Sequence, residues 1–243
     1  MIPKVIHYCW FGQKPKPQKV LDCIDTWKSI VPDYQIKEWN ENNFDVNCMK
    51  FTKEAYALKQ FAFVSDVVRL YALYTEGGIY LDTDIEVRKE LTPLLHNKSF
   101  IGWEDILLGT GVLASISHAN WLNDCLNIYK HNGFISWFGK LRNTPNPYLL
   151  SQVLQDYGLK LNHEKDLLED DIAIYPIEYL CAHNMKERRY VITENTYCIH
   201  HFDSSWCNKG RRLNLLDKLC NIPRFICVKI KIAFVKSVME LDI

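Results

Sequence analysis

Apolar positions fall into short runs and helical stripes that alternate through the first half of the chain. Val5-Ile6-His7-Tyr8 reads as a buried first strand, followed by the loop Trp10 to Pro17. Between residues 18 and 30, Val20, Leu21, Ile24 and Trp27 recur at helical spacing and predict an amphipathic helix. Pro32-Asp33 makes a turn, Tyr34 to Trp39 suits a second strand, and Asn40-Glu41-Asn42-Asn43 is a loop. Over 60–76, Phe61, Phe63, Val64, Val67, Val68, Leu70 and Leu73 surround a predicted helix almost completely, which marks it as buried. That helix stops at Gly77-Gly78. The apolar strand Ile79-Tyr80-Leu81 then runs into Asp82-Thr83-Asp84 and on into Ile85-Glu86-Val87. Phe100 to Trp103 and Val112 to Ser115 read as strands, 119–130 and 148–157 as helices. This alternation predicts an α/β layered fold around a mostly parallel central sheet. Ligands of such sheets gather beyond the carboxyl ends of the strands. Trp10, Asp82 and Asp84 all follow predicted strands.

Composition narrows the class. The 243 residues are 48% hydrophobic and 13% aromatic, enough for a substantial packed core. Lysine plus arginine equals aspartate plus glutamate at 29 each, so net charge points to no nucleic-acid partner. The charge is nevertheless uneven: residues 209–243 carry eight basic residues against three acids. Nine cysteines without a CxxC pair argue against a disulfide framework or a zinc site and read as free thiols in a reducing cytoplasm. Met1-Ile2-Pro3-Lys4 lacks the apolar core of a signal peptide, and no apolar run of about 18 residues is present to span a bilayer. The expected setting is cytoplasmic.

Three groups of residues can carry chemistry. Asp82 and Asp84, one residue apart at a strand end, suit a hard divalent cation such as Mg²⁺ or Mn²⁺, which prefers oxygen ligands and pairs with diphosphates. Ser65, Asp66 and Arg69 share one face of the buried helix, either as a self-satisfied core ion pair or as a polar rim that binds sugar hydroxyls or phosphate. The segment His200-His201-Phe202-Asp203-Ser204-Ser205-Trp206 offers a nitrogen and an oxygen to a metal, although a single histidine is more often an ordinary packed side chain. Trp10 is either core or an indole placed to stack on a nucleobase. Glu104 and Asp105 follow a predicted strand and read as acceptor-side carboxylates or exposed loop acids, and Thr144-Pro145-Asn146-Pro147 as an edge of the acceptor cleft or an ordinary turn.

Taken together, Ile2 to Gly12, Phe63-Val64-Ser65-Asp66-Val67-Val68-Arg69, Glu76 to Asp84 and His200 to Trp206 resemble, in order, the bacterial glycosyltransferases of family 32 with a DXD sugar-binding region. Yeast mannosyltransferases and the glucosylating domains of large clostridial toxins are similar at greater distance. The resemblance covers roughly residues 1–206. It implies a GT-A fold, a nucleotide-sugar donor, a divalent cation and retention of anomeric configuration. It implies that Trp10 stacks on the base, Ser65 lies near base and ribose, and Asp66 and Arg69 hold the donor sugar. Tyr80 and Asp82 contact ribose and sugar, and Asp84 binds the metal. In the toxin relatives a carboxylate, a serine three residues on and a tryptophan two residues further complete the site. That spacing falls here on His201, Ser204 and Trp206. A histidine in place of the carboxylate tilts the expected metal toward Mn²⁺.

The expected activity is therefore metal-dependent, retaining transfer of a hexose or N-acetylhexosamine from a UDP-sugar to a saccharide or lipid-linked oligosaccharide, in capsular polysaccharide or lipopolysaccharide synthesis. Two alternatives stand beside it. A haloacid-dehalogenase phosphatase also uses a strand-end DxD, but it wants Thr or Val where Glu86 stands. A non-catalytic carbohydrate-binding protein would not need Asp66, Arg69, Asp82 and Asp84 intact. Domain organisation reads as a catalytic domain over 1–208 and a basic, apolar extension over 209–243. The extension is either a packing helix or a segment on the anionic inner face of the plasma membrane.

Overall fold

The computed structural model describes residues 1–136, 139–142, 144–184, 187 and 189–203. The expected extension over 209–243 lies outside the described residues. The elements are β1 (Val5–Cys9), α1 (Gln18–Ile30), β2 (Gln35–Trp39), α2 (Lys50–Ala57), α3 (Phe61–Glu76), β3 (Gly78–Leu81), β4 (Ile85–Val87), β5 (Ser99–Glu104), β6 (Leu107–Ser115) and α4 (Asn120–Lys130). They continue with α5 (Asn146–Gln155), β7 (Asp166–Leu168), β8 (Ile172–Tyr175), α6 (Ile177–Leu180), β9 (His183–Asn184), β10 (Arg189–Tyr190) and β11 (Cys198–His200).

A 7-stranded sheet of order β2-β1-β3-β6-β5-β8-β7 forms the centre. β1 pairs in parallel with β2 and β3, and β5 with β8; β6 is antiparallel to β3 and β5, and β7 to β8. Five strands therefore run one way and β6 and β7 the other, the mostly parallel sheet that the alternation predicts. Side chains along each strand divide between two apolar layers. Tyr80 and Leu113 face the layer built with Val67, Leu70 and Leu73 of α3, Trp121 of α4 and Leu150 of α5. Ile79, Leu81 and Ala114 face the opposite layer, with Val20 and Trp27 of α1, Val87 of β4 and Cys198 of β11.

The predicted helix over 18–30 is present, with Val20, Cys23, Ile24 and Trp27 buried. Leu21, expected on that face, is exposed, because Cys23 completes the stripe instead. Trp27 is fully buried and its Nε1–H donates to the Ile85 carbonyl at 2.8 Å, while Thr26 Oγ1 accepts the Val87 N–H at 3.0 Å. α1 thus clamps β4 directly after the paired acids.

α3 ends where Gly77 turns to φ +68, and a Cβ there would lie 2.8 Å from the Ser117 nitrogen. Gly78 follows at φ +113, with the Val5 carbonyl 2.6 Å from where its Cβ would be. Both positions need glycine for backbone conformation and for close approach to the neighbouring strand. His7, buried between them and Trp39, bridges its Nε2 to the Gly77 carbonyl at 2.8 Å and its Nδ1 to Trp39 Nε1 at 3.1 Å. Sequence periodicity misses α2, which buries only Phe51, Thr52 and Ala55, and the short strands after residue 160. It also sees only the second half of β6, where Gly109 and Gly111 interrupt the apolar run. No helix among the described residues is long and apolar enough to cross a membrane.

Candidate active site

β3 ends at Leu81, and the chain turns through Asp82-Thr83-Asp84 into β4, with the Ile85 N–H donating to the Asp82 carbonyl at 3.0 Å. The Asp82 N–H is held by the Gly111 carbonyl at 2.8 Å. Because β1 and β3 are parallel, Trp10 and Asp82 emerge at the same edge of the sheet. Trp10 is partly buried; its Nε1–H donates to the Lys14 carbonyl at 2.6 Å, and Lys16 Nζ lies 5.8 Å from its ring centroid.

Asp82 Oδ1 accepts the Tyr80 hydroxyl at 2.9 Å. Arg69 reaches Asp82 through both terminal nitrogens at 3.4 Å, Asp66 Oδ1 through Nη2 at 3.1 Å and the Thr110 carbonyl through Nη1 at 2.5 Å. Its Nε–H donates to the Ser65 carbonyl at 3.3 Å, and the guanidinium lies 4.6 Å from the Tyr80 ring centroid. Burial opposes the Arg69 charge, but Asp82, Tyr80 and Asp66 outweigh it and the guanidinium stays firmly cationic. The Ser65–Asp66–Arg69 face thus forms the ion pair that its pattern allows, and that pair reaches into the DxD turn.

β11 pairs antiparallel with β4, placing Cys198 opposite Val87 and His200 opposite Ile85. This brings the end of the described chain onto the paired acids. Asp84 Oδ1 lies 3.3 Å from His200 Nε2, and Asp84 Oδ2 accepts the Asp203 N–H at 3.0 Å. Burial pushes the Asp84 carboxyl up, but the bonds from His200 and Asp203 outweigh it and hold the carboxyl below its ordinary value. Burial pushes Asp82 up; Arg69 offsets this only in part and neighbouring Asp84 adds to it. Burial pulls the His200 imidazole down, but hydrogen bonds with Asp84, Cys181 and Glu104 raise it well above the usual histidine range.

Among the described residues, Asp82, Asp84 and His200 form a group whose candidate ligand atoms all lie within 4.8 Å of one another. Two carboxylates and one imidazole on that scale fit a hard or borderline divalent cation. The histidine is not the one that spacing selects. His201 turns its ring the other way, Nε2 to Glu86 Oε2 at 3.0 Å and Nδ1 to the Tyr190 hydroxyl at 2.9 Å. Neighbouring residues of a strand point to opposite sides, so the register of β11 on β4 decides which histidine meets the acids. Ser204 and Trp206 lie outside the described residues.

Three further contributors lie outside the DxD, the Ser-Asp-Arg face and the histidine pair. Glu104 is neither an exposed loop acid nor remote: at the end of β5, its Oε2 lies 3.5 Å from His200 Nδ1. Gly109-Thr110-Gly111 supplies the carbonyls that hold Arg69 and Asp82, and glycine inside an apolar strand is the signal that marks such a close approach. Asn146, in the Thr-Pro-Asn-Pro segment that opens α5, is fully buried against the backbone of Asp66.

Residues 17–101, which include both acids, match the family described as "Glycosyltransferase sugar-binding region containing DXD motif". Inositol phosphoceramide mannosyltransferase 3 of Schizosaccharomyces pombe is 29% identical over 108 residues, covering 41% of this chain and 29% of its own. Inositol phosphoceramide mannosyltransferase 2 of the same yeast is 24% identical over 223 residues, covering 86% of this chain and 59% of its own. The chain thus spans less than two thirds of either relative. The solved structure titled "PaToxG Glycosyltransferase" superposes with a TM-score of 0.52 at 20% identity, over 64% of this chain and 68% of that one. The fold is that of GT-A glycosyltransferases, and the chain carries their DXD region, as its motifs imply.

Proposed function

We propose that the protein is a metal-dependent, retaining glycosyltransferase that moves a hexose or N-acetylhexosamine from a nucleotide sugar, of which a uridine diphosphate sugar is our choice, to a saccharide or lipid-linked saccharide. The observation that carries this reading is the Asp82, Asp84 and His200 group at the carboxyl end of β3, inside the segment matched by the DXD family. The GT-A fold and the matched DXD region favour a glycosyltransferase over a haloacid-dehalogenase phosphatase.

A divalent cation held by Asp84, His200 and Asp82 would neutralise the diphosphate leaving group and act as a Lewis acid on the departing oxygen. The residues around it prepare that step. Arg69 spends its N–H donors on Asp66, Asp82, Ser65 and Thr110, so its part is to fix the two acids beside the donor sugar. Tyr80 orients Asp82 by its hydroxyl. Trp10, at the same sheet edge, offers an indole to the base, with Ser65 toward base and ribose. Fixed dipoles and charges of this kind favour an oxocarbenium-like transition state without reorganisation at the moment of reaction.

Synthesis of a surface polysaccharide such as capsule or lipopolysaccharide remains our choice of setting. A lipid-linked acceptor and contact with an anionic membrane surface rest on the basic, apolar sequence of 209–243. The names of the yeast relatives favour a second donor, a mannosyl nucleotide, and an inositol phosphoceramide type of acceptor.

The test is nucleoside diphosphate release with Mn²⁺ from a panel of uridine diphosphate hexoses and N-acetylhexosamines plus guanosine diphosphate mannose. One donor should be turned over, and Asp84→Ala should abolish its turnover. Turnover of none of them, or hydrolysis of simple phosphomonoesters instead, overturns the reading.

A further inference from the structure

Two glycines on β6, Gly109 and Gly111, make room for the side chains of Glu104 and His200. A Cβ on Gly111 would lie 3.0 Å from His200 Cε1 and 3.1 Å from its Nδ1. A Cβ on Gly109 would lie 2.9 Å from Glu104 Cβ and 3.0 Å from its Oε2. Neither glycine has a positive φ, so what each supplies is space. Residues two apart on a strand share a face. One face of β6 has thus lost its side chains exactly where Glu104 and His200 sit side by side.

The register of β5 on β6 jumps between Ile101 and Trp103, an irregularity of the kind that re-aims side chains beside active sites. It delivers Glu104 to the histidine, and its carboxylate Oε2 lies 3.5 Å from His200 Nδ1 while the opposite ring nitrogen lies 3.3 Å from Asp84. Phe202 covers the imidazole face, stacked at 3.8 Å between centroids. The cavity beside the pair, lined also by Leu180 and Cys181, measures about 10 Å³, room for a water and not for a sugar.

The geometry points to Glu104 as a positioning residue. It accepts the Nδ1–H of His200 and so holds the ring with Nε2 toward the Asp82–Asp84 pair, where a cation would take the place of the Nε2 proton, and preorganises the third ligand of the cation site. This rests on the cation site proposed above. Metal-bound histidines characteristically give their second N–H to a carboxylate or carbonyl, and loss of that partner typically costs 10–100-fold in metal affinity. Glu104 acts through His200, and touches neither cation nor sugar.

The test is Mn²⁺ affinity of the full chain, by calorimetry, for wild type, Asp84→Ala, Glu104→Gln and Glu104→Ala. A loss of about 10–100-fold is expected for Glu104→Ala. Glu104→Gln should fall between Ala and wild type, because an amide oxygen still accepts Nδ1–H but carries no charge. In the Mg²⁺-loaded wild type, nitrogen-15 spectra should show a His200 Nδ1–H shielded from solvent exchange by Glu104, and that shielding should be lost in Glu104→Ala. Wild-type affinity in both Glu104 variants, or a freely exchanging Nδ1–H in wild type, overturns the inference. Failure of wild type to bind Mn²⁺ overturns the cation site itself, a result distinct from the first. Glu104→Gln is nearly isosteric and keeps the comparison interpretable should Glu104→Ala not fold.

Discussion

Asn146 donates its side-chain Nδ2–H to the backbone carbonyl of Asp66, 80 residues away, at 3.0 Å. Its Oδ1 lies 3.4 Å from the Tyr129 hydroxyl. Asp66 occupies the middle of α3 and Asn146 the first turn of α5. This one carboxamide therefore ties the helix carrying Asp66 and Arg69 to the helix packed on β6. Replacing Asn146 by Ala removes the tie and opens a small void. It should cost about 1–3 kcal/mol of stability in urea denaturation, and donor affinity should weaken with it. An unchanged urea midpoint would deny Asn146 this role.

The two adjacent histidines should behave oppositely. His200 faces the acids, whereas His201 is engaged by Glu86 and Tyr190. His200→Ala should lower Mn²⁺ affinity by at least about tenfold, since a ligand should matter no less than its outer partner. His201→Ala should leave affinity close to wild type. The reverse order of effects would return the ligand role to His201.

Arg69 should be the most sensitive position for folding. Its guanidinium is almost wholly buried between two carboxylates. Arg69→Met removes the charge and keeps most of the volume, leaving Asp66 and Asp82 without their cation. Breaking a buried pair from one side costs about 3–5 kcal/mol. Chemical denaturation measures this directly, and a loss below about 1 kcal/mol would mean that solvent already satisfies both acids.

His7 couples the core to pH. Burial lowers its pKa from 6.5, only partly opposed by the Gly77 carbonyl and by Glu76. Its ring is held neutral, one nitrogen donating to Gly77 and the other accepting from Trp39. A group depressed in the folded state contributes stability above its unfolded pKa and loses it as pH falls. Unfolding free energy should therefore decline as pH drops below about 6.5 and keep declining until His7 protonates in the folded protein. His7→Gln should flatten that part of the curve, and a wild-type slope retained in His7→Gln would assign the decline to other groups.

Much of the fold was legible because it follows from local rules. The α1 stripe, the buried α3, the glycine stop and the strand running into two acids all appear in sequence at about their structural boundaries. Periodicity failed where an element is short, as at β7 to β10, or where glycine breaks the apolar run, as in β6. Leu21 shows the same limit within a helix, since one turn offers two candidates for the buried stripe and only packing selects Cys23.

The local order of residues by itself determined that Asp82 and Asp84 leave a strand together, that Ser65, Asp66 and Arg69 share a helix face, and that a histidine pair is near the end of the motif-bearing region. Backbone periodicity places neighbours in sequence, and nothing more distant is needed for those statements. Which histidine meets the acids, what backs it, and what holds Arg69 were decided by tertiary structure. A strand's side chains alternate with a period of two, so a single step in the register of β11 on β4 exchanges His200 for His201. The irregular pairing of β5 with β6 brings Glu104 beside Gly109, and the long-range bonds of Arg69 to Thr110 and of Asp82 to Gly111 bring the acids to the same place.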